Sequence, residues 1–218
     1  MKTVLCYGDS NTYGYIPSLG IRYADGIRWP GRLKMLLGQD YAVIEEGCSG
    51  RTTVYDDPIA GWKNGRDYLK PCIHSHRPID IVILALGSND LKANFHASAA
   101  DIAAGAETLV DIIQTFSLED QGFSPQIVLV SPPEIGEGII SSEFYGAFLE
   151  DAVERSREFP HYYKEVAERK GCIFFNAAAY VKVSEEDSLH FDPEAHRIMA
   201  EKLYQVVRQI GAEEQHGI

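Results

Sequence analysis

Apolar residues gather into five short runs along this chain: Thr3 to Tyr7, Tyr41 to Glu45, Ile79 to Leu86, Gln126 to Val130 and Cys172 to Phe175. Each has the length of a strand. Between them the spacing becomes helical. From Ser98 to Phe116, the residues Ile102, Leu109, Ile112, Ile113 and Phe116 share one face, and Ser98 with Asp101 has the spacing of a capping box. A second helical pattern runs from about Phe144 to Lys170, where Pro160 either kinks one helix or starts another and Gly171 is placed to end it. A last helix begins at Pro193, a residue suited to the first helical position, with Asp192 as its N-cap. Its inner face carries Met199, Leu203, Val206, Val207 and Ile210.

Strands that alternate with helices predict an α/β protein, a parallel sheet covered by helices on both faces. Five strands suit the flavodoxin-like order 2-1-3-4-5, which puts the switch point, and so the ligand crevice, at the carboxyl ends of strands 1 and 3. No repeat, low-complexity tract or long linker divides residues 1–218, so one domain is expected. Pro132 to Ser142, rich in proline and glycine, reads as a long loop beside that edge.

Composition narrows the partners. The 218 residues are 45% hydrophobic with a formal net charge of −12 and no basic cluster, a balance that disfavours nucleic acid and anionic membranes. The start, Met1 to Tyr7, has one basic residue and an apolar run, Val4 to Tyr7, that falls short of the roughly 7–15 residues of a signal-peptide core, and no stretch reaches the roughly 18 residues of a membrane span. A cytoplasmic location is therefore expected. Cys6, Cys48, Cys72 and Cys172 form no CxxC pair and are read as reduced thiols.

The candidate chemistry sits in the loops that this topology brings together. Gly8-Asp9-Ser10-Asn11 follows the first strand, Cys48-Ser49-Gly50-Arg51 the second, Gly87-Ser88-Asn89-Asp90 the third, and Asp187-Ser188-Leu189-His190 precedes the last helix. Alone, Ser10 reads as a helix cap. With the other loops it becomes a nucleophile, His190 its base and Asp187 the group that orients the base. The backbone N–H groups of Ser10 and Gly50 and the amide of Asn89 are candidate oxyanion donors. Asp9 and Asp90 read as structural, holding their loops by side-chain hydrogen bonds.

Other residues compete for roles. Tyr13, Trp29 and Trp62 are candidate pocket walls, with core packing the equal reading for Trp62. Arg51 is a candidate ligand for an anionic substrate, or a partner for a loop carboxylate. His74 and His76 read as an exposed helix end rather than a metal site, since no third ligand is near in sequence. Asp56-Asp57-Pro58 reads as a turn. His196, a rival base, lies inside the last helix with no acid three residues before it and is expected on the surface.

The four blocks Gly8-Asp9-Ser10, Gly50, Gly87-x-Asn89-Asp90 and Asp187-x-x-His190, in this order, resemble the SGNH hydrolase (GDSL-type esterase) superfamily, with Asn11 where the name would have Leu. Further likeness to its arylesterase and acyltransferase subgroup lies in Gly8 to Gly14, Arg28-Trp29, Arg51-Thr52-Thr53 and Leu86 to Lys92. The resemblance implies a flavodoxin-like α/β/α sandwich and a serine esterase acting on small aryl or short-chain esters, with no cofactor and no metal. Acyl transfer to an alcohol or hydrogen peroxide and carbohydrate acetylester hydrolysis are the alternatives, and a homo-oligomer is expected from the subgroup. The rival of a different class is a non-catalytic module binding a small anion at the first loop. Such a module leaves Asp187 and His190 without a purpose, and Gly8 to Gly14 is not a Gly-x-Gly-x-x-Gly loop.

Overall fold

The five apolar runs are strands in the computed structural model, which describes residues 1–215. They are β1 (Lys2–Gly8), β2 (Tyr41–Gly47), β3 (Ile81–Ala85), β4 (Gln126–Ser131) and β5 (Ile173–Asn176). All pair in parallel, in the order β2-β1-β3-β4-β5. The third run was read too long because Ile79 and Leu86, on either side of the ladder, are as buried as the strand itself.

Alternate side chains of each strand serve opposite layers. Leu5, Tyr7, Val82, Leu84, Ile127 and Leu129 join one core, while Val4, Cys6, Ile81, Ile83, Val128 and Val130 join the other. The first core is closed by α3 (Gly65–His76), α4 (Ala99–Gln121) and α5 (Asp151–Lys170), the second by α2 (Trp29–Leu37) and α6 (Pro193–Gln215). The result is a three-layer α/β/α sandwich.

Helix ends follow their chemistry. Ser98 caps α4 with a complete capping box, and Asp192 accepts the Ala195 N–H at the start of α6. One continuous helix runs through Pro160 and ends at Gly171 in the left-handed conformation, so no second helix starts there. That helix begins at Asp151 rather than near Phe144, because Phe144 to Phe148 form a separate turn closed by the Phe148 N–H on the Phe144 carbonyl (3.0 Å). Within the long loop from Pro132 to Ser142, residues Glu137–Ser141 wind into a 3-10 turn. Among the described residues no helix is long and apolar enough to cross a membrane.

Candidate active site

The carboxyl edge of the sheet positions the site. β1 ends at Gly8 and turns at once into α1 (Ser10–Tyr13). The cap of that short helix is Asp9, whose carboxylate accepts the Asn11 N–H at 2.9 Å. Ser10 is therefore free of capping, and its hydroxyl lies 2.9 Å from Nε2 of His190. Nδ1 of His190 lies 2.7 Å from Oδ2 of Asp187. All three side chains are almost fully buried.

The Asp187 to His190 segment is a tight turn, with Ser188 in the left-handed region at φ 60°. Oδ1 of Asp187 accepts the backbone N–H of Leu189 and of His190. Burial alone pushes the Asp187 carboxyl up, yet the hydrogen bonds from His190 and these two amides overcome it and hold the group below the usual carboxylate range. Asp187 therefore stays ionised and keeps the Nδ1 proton, leaving Nε2 as the acceptor that faces Ser10.

Asn11 ties this turn to the serine loop. Its Oδ1 accepts the Phe191 N–H at 2.9 Å and its Nδ2 donates to the Leu189 carbonyl at 3.3 Å. Sequence reading assigned Asn11 no role; the signal available was a bipartite amide where the family name has an apolar leucine.

A cavity of about 290 Å³ opens over Ser10 and His190. Gly50 and Asn89 line it. Among the described residues, the Ser10 and Gly50 backbone N–H groups and the Asn89 side-chain amide donate no hydrogen bond within the protein, so all three are open to a ligand. Gly50 has φ +82°, and a Cβ there would sit 2.7 Å from Nζ of Lys63. Only glycine suits that position. Tyr15 and Phe144 pack on the His190 ring, with centroids 4.2 and 5.2 Å away, and with Phe148 form an apolar wall.

The expected pocket residues fare differently. Tyr13 lies outside the cavity, with the Arg22 guanidinium 4.6 Å from its ring centre. Because α1 is only four residues long and Gly14 follows in the left-handed conformation, Tyr15 is the aromatic that reaches the site. Trp29 is fully buried in the second core beside Leu33 and does not line the cavity over Ser10. Trp62, open to either reading, is 73% exposed and belongs to no core.

Arg51 touches neither the cavity nor a carboxylate. Buried, it donates to the carbonyls of Gly8 (3.0 Å) and Glu46, with its guanidinium 4.2 Å from the Tyr7 ring centre. It thus joins the strand ends that carry Ser10 and Gly50. His196 is fully buried rather than on the surface: its Nδ1 accepts the Trp29 N–H at 3.2 Å, and Tyr23 and Phe191 pack edge-on against it. Burial holds its pKa down to about 3, so it stays neutral within the core.

Asp90 anchors the second loop to the third. Its carboxylate accepts the Thr53 N–H at 2.9 Å and the Thr53 hydroxyl at 2.5 Å. Burial pushes Asp90 up to about 7 and Asp9 up to about 6. A folded pKa above the unfolded value of about 3.9 means that the folded state binds the extra proton. The resulting stability is present below the unfolded value and is lost as pH rises through about 7 for Asp90. Asp90→Asn should therefore flatten the decline of the urea midpoint between pH 5 and 8; an unchanged slope counts against this assignment.

His74 and His76 do not converge. His74 meets Asp120 at 2.9 Å and His76 meets Glu46 at 2.8 Å. Among the described residues, Glu46, Cys72 and His76 are the grouping with metal-ligand chemistry, their ligand atoms within 4.8 Å of one another. The Cys72 thiol is pushed up to about 12 by burial, and a metal would have to displace its proton.

Comparison with known proteins identifies the family. The GDSL-like lipase/acylhydrolase family matches residues 6–198. The native aryl esterase of M. smegmatis is 35% identical, with a TM-score of 0.90 over 96% of this chain and 99% of its own. Est24, a carbohydrate acetylesterase from Sinorhizobium meliloti, is 34% identical, with a TM-score of 0.90 over 96% of this chain and 100% of its own. Another carbohydrate acetylesterase family member from the same organism is 38% identical, with a TM-score of 0.90 and coverage of 96% and 98%. No curated protein sequence matches. With its parallel 2-1-3-4-5 sheet and a family match over most of its length, the chain belongs to the GDSL-like lipase/acylhydrolase family, within the SGNH/GDSL superfamily, and is a carboxylic ester hydrolase.

Proposed function

We propose that the ester is cleaved by a Ser10-His190-Asp187 triad through an acyl-serine intermediate. The observation that carries this is the hydrogen-bonded series from Ser10 Oγ to His190 Nε2 (2.9 Å) and from His190 Nδ1 to Asp187 (2.7 Å). The imidazole takes the serine proton as Oγ attacks the ester carbon. The Ser10 and Gly50 N–H groups and the Asn89 amide receive the charge on the carbonyl oxygen. His190 then gives its proton to the departing alcohol. Water, deprotonated by the same imidazole, releases the acid and restores Ser10.

Asn89→Ala tests the oxyanion role. It removes one donor from a preorganised hole, so kcat toward p-nitrophenyl acetate should fall about 10²–10³-fold with KM little changed. A kcat within twofold of wild type would remove Asn89 from the hole.

Small acyl esters, aryl or sugar-borne, fit a cavity of about 290 Å³ with an aromatic wall. The same wall favours a second reading, transfer to an alcohol or peroxide, because a drier site slows water relative to these acceptors. Product partitioning with added alcohol separates the two. Free thiols at all four cysteines support a cytoplasmic setting, and the homo-oligomer implied by the subgroup is tested by sedimentation.

A further inference from the structure

The cavity has one feature that ester hydrolysis does not require. Lys63, half-buried, lines its rim beside Gly50, with Nζ 2.7 Å from the position a Gly50 Cβ would take and 5.4 Å from the Trp62 ring centre. Among the described residues its ammonium pairs with no carboxylate, although the chain carries 32 acidic residues against 20 basic ones. The second cation of the cavity, Lys92, is already engaged: its Nζ lies 3.3 Å from Asp57, whose carboxylate also accepts the Ile59 and Ala60 N–H groups. Lys63 is the charge left over for a ligand.

We propose that Lys63 sets specificity for esters whose acyl group carries a second, ionised carboxylate. Its position relative to the reacting atoms decides which half of the ester it meets. The departing alcohol must lie within reach of His190 Nε2, which gives it a proton, and Tyr15 and Phe144 pack on that imidazole. Lys63 stands against Gly50, one of the oxyanion donors, and Lys92 lines the same cavity. An acyl chain leaving the carbonyl carbon away from His190 runs toward this cationic rim. A terminal carboxylate there gains a charge-assisted hydrogen bond in a site partly screened from water, whereas a neutral chain leaves the ammonium solvated.

This inference rests on the Ser10 mechanism and deepens it, so its test uses matched esters. Monophenyl glutarate and phenyl valerate have acyl chains of equal length and differ in a terminal carboxylate; 4-acetoxybenzoate and 4-methylphenyl acetate place the same difference on the leaving group. Each kcat/KM is corrected for uncatalysed hydrolysis. Lys63→Gln should lower the glutarate-to-valerate ratio about tenfold, and Lys63→Glu should lower it further. The ratio for the wild-type protein should also fall at high salt, as a partly exposed charge pair is screened. The ratio for the leaving-group pair should not move. A glutarate-to-valerate ratio unmoved in both variants, or charged and neutral esters falling together, overturns the assignment. So does a change confined to the leaving-group pair. Absence of turnover of neutral esters by the wild-type protein contradicts the Ser10 mechanism itself, a failure separate from an unmoved ratio with turnover intact.

Discussion

Ser10→Ala should abolish hydrolysis of p-nitrophenyl acetate, lowering kcat/KM at least about 10⁴-fold, because members of such a unit fail together when the nucleophile is lost. The fold should survive. The cap of α1 is Asp9, so removing the serine hydroxyl leaves the helix end intact and costs the protein one hydrogen bond, that to His190. A single hydrogen bond of this kind contributes about 1 kcal/mol net. Thermal unfolding should therefore shift by no more than a few degrees, roughly the change expected from such a loss. Activity loss without unfolding separates a chemical role from a structural one; retained activity would place the nucleophile elsewhere.

Asp187→Asn should lower kcat by about 10⁴-fold. In the native turn one carboxylate oxygen accepts two backbone N–H groups and the other accepts the imidazole proton. Asparagine has one accepting oxygen. Directed at the backbone, it turns its NH₂ toward His190, which then accepts at Nδ1 and presents a protonated Nε2 to Ser10, unable to take the serine proton. Directed at the imidazole, it leaves Leu189 and His190 N–H groups facing another donor, at a cost of about 1–3 kcal/mol for each buried group left unpaired. The first arrangement gives a folded but slow enzyme; the second gives a less stable one. Steady-state kinetics with urea unfolding distinguishes them, and near-native kcat would mean that His190 does not depend on Asp187.

The sheet order and both helical layers follow from the sequence because each strand is a continuous apolar run and each connection is long enough for one crossover. The loops bearing Ser10, Gly50, Asn89 and His190 follow for a related reason: parallel topology brings the ends of successive strands to one edge. The side walls of the cavity do not follow. Which of Tyr13 and Tyr15 faces the serine depends on where a four-residue helix stops, a matter of one turn of chain. Phe144 reaches His190 because its segment leaves the helical pattern that periodicity assigned to it. Trp29 and His196, read as pocket and surface residues, are buried against each other by the packing of α2 on α6, a contact between elements far apart in sequence. Arg51 is similar. Its charge suggested a ligand, but two backbone carbonyls satisfy it, and carbonyl positions carry no signature in the residue string.

The central claim, that Ser10 Oγ is the atom acylated, is tested most directly by labelling with diethyl p-nitrophenyl phosphate followed by peptide mass spectrometry. One diethylphosphoryl group on the peptide carrying Ser10, formed in step with loss of activity and absent from Ser10→Ala, is the predicted result. Stoichiometric inactivation with the label on any other residue would contradict it.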